Sequence, residues 1–158
     1  MDTLDKLMYW RGIASDYFNY KGEKVQVSFE NRKAIIQAMG IDPDNETEVN
    51  AATYALDVDP WTHWLQPFQV VEHHSECCVF INVGPDQYDF QFSYLIELES
   101  GEQVTASFDP GSLPEVGDYT YEGRRYSRRV LMCGALPLGY HQVAISAGDL
   151  VSQGMIAV

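Results

Sequence analysis

YDFQFSYLIELE, residues 88–99, is the most ordered signal in the chain. Tyr88, Phe90, Phe92, Tyr94, Ile96 and Leu98 recur on every second residue, while Asp89, Gln91, Ser93, Glu97 and Glu99 fill most of the alternate positions. Period two is the spacing of a strand with one buried and one wet face. A strand of about twelve residues with four aromatics on one face is unstable alone, so this pattern predicts a second layer roughly 10 Å away that covers the rings.

The flanking sequence supplies candidates for that layer. Downstream, Ser100-Gly101 is a hairpin signal that returns the chain through a strand over 103–108. Residues 109–123, with Pro110, Pro114 and several turn formers, read as a loop. Strands follow over 126–133 and 140–146, separated by the turn Pro137-Leu138-Gly139, and after Gly148-Asp149 a last strand runs to Val158. Upstream, 68–72 and 77–83 read as strands joined by the polar step 73–76, and Gly84-Pro85-Asp86 turns into the aromatic stretch. Seven or so short strands with turns between them imply a β-sandwich of the immunoglobulin type.

The first sixty residues change period. Leu4, Leu7 and Met8 form a helical stripe that ends at Gly12-Ile13, and Ser28 caps a second helix whose face is Ala34, Ile35, Ala38 and Met39, ending at Gly40-Ile41. Residues 15–22 read as an ordered loop anchored by Tyr17, Phe18 and Tyr20. Asn45-Glu46-Thr47-Glu48 looks like a capping box for a third helix carrying Val49, Ala52 and Leu56, with Pro60 at its exit. The expected fold is α+β: short N-terminal helices over residues 1–60, packed on an immunoglobulin-like antiparallel β-sandwich over 61–158.

Composition limits the function. The 158 residues carry a formal charge of -13, a surface that repels phosphate backbones and anionic membranes, so neither nucleic acid nor membrane is an expected partner. Three cysteines, two of them adjacent, do not resemble a secreted disulfide framework and suit reduced thiols. With no basic-then-apolar leader and no long apolar run, a cytoplasmic chain is expected.

Motifs for chemistry are sparse. There is no Gly-x-Ser-x-Gly elbow, Walker loop or Gly-x-Gly-x-x-Gly. Asp57, Asp59 and Asp109 are the only acidic residues beside aromatic or proline-shaped segments, and they read as solvated turn residues and helix-end partners, so no catalytic residue is assigned. Glu72-His73-His74-Ser75-Glu76-Cys77-Cys78 packs six potential metal ligands into seven residues, but contiguous ligands on one strand do not close a tetrahedral site, and it reads as a polar hairpin tip with one thiol turned inward. No metal or cofactor is assigned. His141, beside Tyr140 at a sandwich corner, reads as a hydrogen-bonded structural residue. Arg124, Arg125, Arg128 and Arg129 form the one basic patch, read as a solvated strand face or a docking surface. Trp61 and Trp64 are candidate sugar-stacking residues, weighed against a role in filling the seam between helices and sandwich.

Order and spacing give a resemblance. Leu136-Pro137-Leu138-Gly139-Tyr140-His141-Gln142-Val143, the hairpin Leu98-Glu99-Ser100-Gly101, and the opening pattern Gly12-Ile13, Tyr20, Gly22, Ser28, Arg32 and Ala38-Met39-Gly40 together resemble the amino-terminal region of bacterial amylomaltases, the 4-alpha-glucanotransferases. The resemblance implies a noncatalytic accessory region that precedes a (β/α) barrel holding the catalytic carboxylates. It implies the barrel as partner and maltodextrin as a substrate the region could contact. A free-standing carbohydrate-binding or protein-docking module is the alternative expectation.

Overall fold

A computed structural model describes residues 2–73 and 76–158, which divide into two compact units, Met1–Asp59 and Pro60–Val158. In the first, α1 (Thr3–Trp10) starts where the Asp2 carboxylate accepts the Leu4 N–H. It stops at Gly12, whose φ of 71° lets the Ile13 N–H reach back to the Met8 carbonyl at 2.8 Å. A hairpin of β1 (Asp16–Phe18) and β2 (Lys24–Gln26) leads to α2 (Phe29–Ala38), where the Ser28 hydroxyl accepts the Asn31 N–H, and then to α3 (Glu46–Asp57). Asn45 caps α3 by accepting from Thr47 and Glu48, while the Glu48 carboxylate accepts the Asp42 N–H at 2.9 Å and the Asn45 side-chain amide at 3.0 Å, the Asn45 backbone N–H going to the Asp42 carbonyl at 3.1 Å instead of closing the box. Leu7, Met8, Ile36 and Val49 form this unit's core.

The expected loop over 15–22 is thus a β-hairpin, and its rings do not anchor it. Tyr17, Phe18 and Tyr20 are 53%, 70% and 94% exposed. Asn19 organises the turn instead, its Oδ1 accepting the N–H groups of Lys21 and Glu23. A turn closed by backbone and amide bonds needs no ring inside it.

The second unit follows a single helical turn, α4 (Asp59–Thr62), and consists of β3 (Phe68–Val70), β4 (Cys78–Val83), β5 (Phe92–Glu97), β6 (Gln103–Phe108), β7 (Glu115–Tyr121), β8 (Arg124–Met132), β9 (Tyr140–Ala147) and β10 (Leu150–Ala157). They form a five-stranded sheet in the order β3-β10-β9-β5-β6 and a three-stranded sheet in the order β4-β8-β7. All pairs are antiparallel except β3 with β10, which is parallel. Phe92, Tyr94, Ile96, Val143, Ile145 and Ile156 from one sheet meet Val79, Ile81, Val83 and Leu131 from the other, giving the two-layer β-sandwich that the alternation predicts. Each such side chain, taken out of water, contributes about 1.5–3 kcal/mol.

Three sequence expectations change. The aromatic strand is shorter than its pattern: only Phe92–Glu97 is extended, because Pro85 opens a 3₁₀ turn (Pro85–Gln87), Gln87 Oε1 accepts the Gly84 N–H, and the Phe90 N–H bonds back to the Gln87 carbonyl. Residues 109–123 are not a loop throughout. Beyond a 3₁₀ turn at Pro110–Ser112, β7 pairs with β8 through the tight turn Glu122-Gly123, both at positive φ. The two prolines sit ahead of the strand and leave its ladder intact. Finally, β3 and β4 do not pair as a hairpin, since they belong to different sheets. The buried Gln69 amide spans them: its Oε1 accepts the Phe80 N–H at 3.0 Å and its Nε2 donates to the Phe80 carbonyl at 3.3 Å, doing for two sheets what a strand partner does within one.

The two turns quoted for the resemblance prove to be one corner. His141, 1% exposed, accepts the Glu99 N–H on Nδ1 at 3.1 Å, so its proton sits on Nε2 and is donated to the Pro137 carbonyl at 2.8 Å. The Glu99 carboxylate accepts the Tyr140 N–H at 3.1 Å. Gly139 lies between them at φ 145°, where a Cβ would collide with Glu99 Oε2. His141 is therefore the structural residue its position suggests.

Candidate functional site

The two candidate tryptophans have different surroundings within Pro60–Val158. Trp64 is 7% exposed and meets Phe92 edge-on at 5.0 Å, inside the sandwich core. Trp61 is half-buried on the opposite, outward face of the three-stranded sheet. Residues directly opposite on an antiparallel pair share a face, so the Asn82↔Arg128, Gly117↔Arg128 and Tyr119↔Tyr126 register places Asn82, Arg128, Gly117 and Tyr119 there together. The Trp61 ring stacks on Tyr119 at 5.5 Å and 15°, and the Arg128 guanidinium lies 4.2 Å from its centroid.

Hydrogen bonds fix this platform. Asn82 Nδ2 donates to the Pro60 carbonyl at 2.7 Å and to the His63 carbonyl at 3.3 Å, its backbone N–H reaches the Trp64 carbonyl at 2.9 Å, and its Oδ1 accepts from Arg128 Nε at 3.0 Å. One buried amide thus holds both the segment that carries Trp61 and the cation above it. Burial pulls the Arg128 guanidinium below its ordinary pKa. The platform combines the Trp61 indole with a guanidinium over its ring, an aromatic and hydrogen-bonding surface of the kind that suits a polar ring-shaped ligand.

The other three arginines of the run are paired within this unit, Arg124 and Arg125 at its surface and Arg129 largely buried. Arg124 pairs with Asp86, Arg125 with Glu115 and with Asp118 at 3.3 Å, and Arg129 with Glu115 at 3.0 Å. Arg129 also donates to the Leu113 carbonyl and to the Tyr88 hydroxyl, both at 3.0 Å. The pleat divides the run between two faces, so it makes no continuous basic patch. Asp109 caps a 3₁₀ turn, its Oδ1 accepting the Gly111 N–H at 2.8 Å.

The metal reading of Glu72 to Cys78 falls partly on His74 and Ser75, which lie outside the described residues. Among the described residues no group of three His, Cys, Asp or Glu side chains could hold an ion. All three cysteines are free thiols. Burial pushes the Cys77 and Cys133 thiols up to about 11 and about 12, whereas Cys78 is half-buried, its sulfur 3.4 Å from Met132 Sδ. The thiolate is the reactive form. At pH 8 a chromogenic disulfide reagent is therefore expected to titrate one thiol, Cys78, in the native protein and three in denaturant; two fast thiols in the native protein would contradict the burial. The same shifts set a pH dependence. The neutral thiols favour the folded state below the ordinary thiol pKa of 9.0, and that contribution is lost as the pH rises through about 11 and about 12.

Sequence reasoning found Trp61 but not Tyr119, Arg128 or Asn82 as its setting. Only the Glu122-Gly123 turn, flanked by alternating tyrosines, could have signalled the strand pair that assembles them. Among the described residues no helix is long and apolar enough to cross a membrane.

Comparisons with known proteins agree with this architecture. The family model of the MalQ N-terminal beta sandwich domain matches residues 64–158. Among solved structures, amylomaltase from Corynebacterium glutamicum superimposes with a TM-score of 0.66 at 22% sequence identity, covering 98% of this chain and 22% of that one. At that identity the likeness is one of fold. No curated protein sequence matches the chain.

Proposed function

Because the chain belongs to the MalQ N-terminal beta sandwich domain family, we propose that it is the noncatalytic N-terminal accessory region of a cytoplasmic 4-alpha-glucanotransferase, an amylomaltase that disproportionates maltodextrins. The observation that carries this reading is the family match over 64–158, on a β-sandwich whose fold follows an amylomaltase across 98% of the chain. The chain spans 22% of that amylomaltase, so the chemistry is assigned to a C-terminal barrel of the same polypeptide. Retaining glycosyl transfer needs two carboxylates about 5–5.5 Å apart, one as nucleophile and one as acid and base. In this reading the barrel supplies that pair. Residues 1–60 and 61–158 position and stabilise the barrel, and Trp61, with Trp64 behind it in the core, extends the glucan-binding surface.

The test compares three proteins encoded by the reading frame that contains this chain: the whole product, the product lacking residues 1–158, and residues 1–158 alone. Glucose release from maltotriose is expected from the whole product, to fall by about tenfold or more without the accessory region, as misplacement remote from the chemistry costs rate, and to be absent from residues 1–158. Turnover by residues 1–158, or a reading frame without a barrel, would refute the proposal.

A further inference from the structure

The sandwich carries a second concave feature, a cleft of about 540 Å³ where the turn entering β5 meets the end of β6. The Phe92↔Phe108 pairing brings residues 88–91 beside 107–109. The floor is aromatic. Phe108 and Phe90, the latter 37% exposed, line it, and both rest on the core residue Phe92 beneath, at 5.4 Å and 6.0 Å between ring centroids. Tyr88 is fixed at one side, its hydroxyl held by Ser127 and by Arg129. The rim is rich in oxygen: Asp89, Gln91, Ser107 and Asp109 line it, and Asp109 commits only Oδ1, to the Gly111 amide. None of these groups takes part in the Trp61 platform.

The chemistry of the lining selects the ligand. Two carboxylates, and no lysine or arginine in the lining, disfavour an anion, and the charge of -13 adds to that. No third ligand completes a cation site among the described residues. A wholly apolar ligand would strip water from both carboxylates without replacing their hydrogen bonds. A neutral polyhydroxylated ring satisfies both halves, laying its C–H face on a phenyl ring and donating hydroxyls to carboxylate and amide oxygens. The volume falls in the ordinary range for small-molecule sites, ~300–1,000 Å³.

We propose that this cleft binds a short, neutral oligosaccharide, with Phe90 as the stacking face and Asp89 and Gln91 as the hydrogen-bonding groups. The choice of an α-1,4-linked probe rests on the accessory-region reading above; recognition of a pyranose does not. Backbone amide NMR of the 158-residue chain, titrated with maltotriose and separately with cellotriose, tests it. Maltotriose is expected to shift amides at 88–91 and 107–109, with affinity about tenfold weaker in Phe90→Ala and about threefold weaker in Asp89→Asn. Both side chains are exposed, so both variants keep the native spectrum elsewhere. Equal binding of cellotriose supports the cleft while counting against an α-1,4-glucan role. Shifts confined to the surroundings of Trp61 and abolished by Trp61→Ala would overturn the cleft and leave glucan binding in place. No shift with either sugar would overturn the cleft and leave the positioning role untouched.

Discussion

Replacing His141 with alanine is expected to destabilise the sandwich by about 3 kcal/mol or more. The side chain is 1% exposed and links the Glu99 amide to the Pro137 carbonyl through its two ring nitrogens. Its removal leaves a backbone donor and a backbone acceptor without partners, each costing roughly 1–3 kcal/mol when buried, and adds a cavity. Urea denaturation followed by tryptophan fluorescence measures the loss: the midpoint should fall with little change in slope. Near-UV circular dichroism should also weaken, because the corner between β5 and β9 loosens. His141→Asn keeps one donor and one acceptor on a shorter side chain and should recover part of the stability. A loss below about 1 kcal/mol in the alanine variant would show that the corner holds without the imidazole.

Gly154→Val is expected to be more severe. β10 lies between β3 and β9, and a Cβ at Gly154 would stand 2.6 Å from the Gln66 carbonyl oxygen and 3.5 Å from that of Pro67. Both obstacles are backbone atoms, which move only if the strand moves. The Met155 N–H bond to the Pro67 carbonyl, at 3.0 Å, would go with them. Overpacking a tight site costs about 1–3 kcal/mol for modest additions and more where the backbone must yield. Alanine should therefore lower stability by about 2–4 kcal/mol, and valine should leave little folded sandwich at 37 °C, consistent with stabilities of ~5–15 kcal/mol for such domains. Gly148→Asn is the control. Gly148 has φ 59° with open space around its Cβ position, a conformation asparagine tolerates. Thermal melts should separate the two sites clearly; a Gly154→Ala protein that melts within a few degrees of the parent would sink the argument from close approach.

The cleft and the platform were legible to different degrees. Phe90, Asp89 and Gln91 were visible as strand residues, but the pattern extended the strand through them, whereas Pro85 and the Gln87 side chain wind that segment into a turn. The turn is what frees Phe90 to face the cleft. Trp61 was visible as an aromatic ahead of the strands, yet its contacts with Tyr119 and Arg128 depend on β7, in a region whose prolines disguised a strand as a loop.

Interactions between near neighbours were available from the residues alone. The glycine stops after α1, the Ser28 and Asn45 caps, and the buried alternation of Phe92, Tyr94 and Ile96 all depend on groups within a few positions, and each is where the pattern puts it. Pairing across long separations was not. The parallel seat of β3 against β10, the Gln69 bridge to Phe80, the lock of His141 on Glu99 and Pro137, and the meeting of residues 88–91 with 107–109 required the closed chain. The physical reason is that a helix cap or a strand face is set by geometry repeated every few residues. Strand order is instead set by which distant surfaces bury the most apolar area while leaving no amide or carbonyl unpaired.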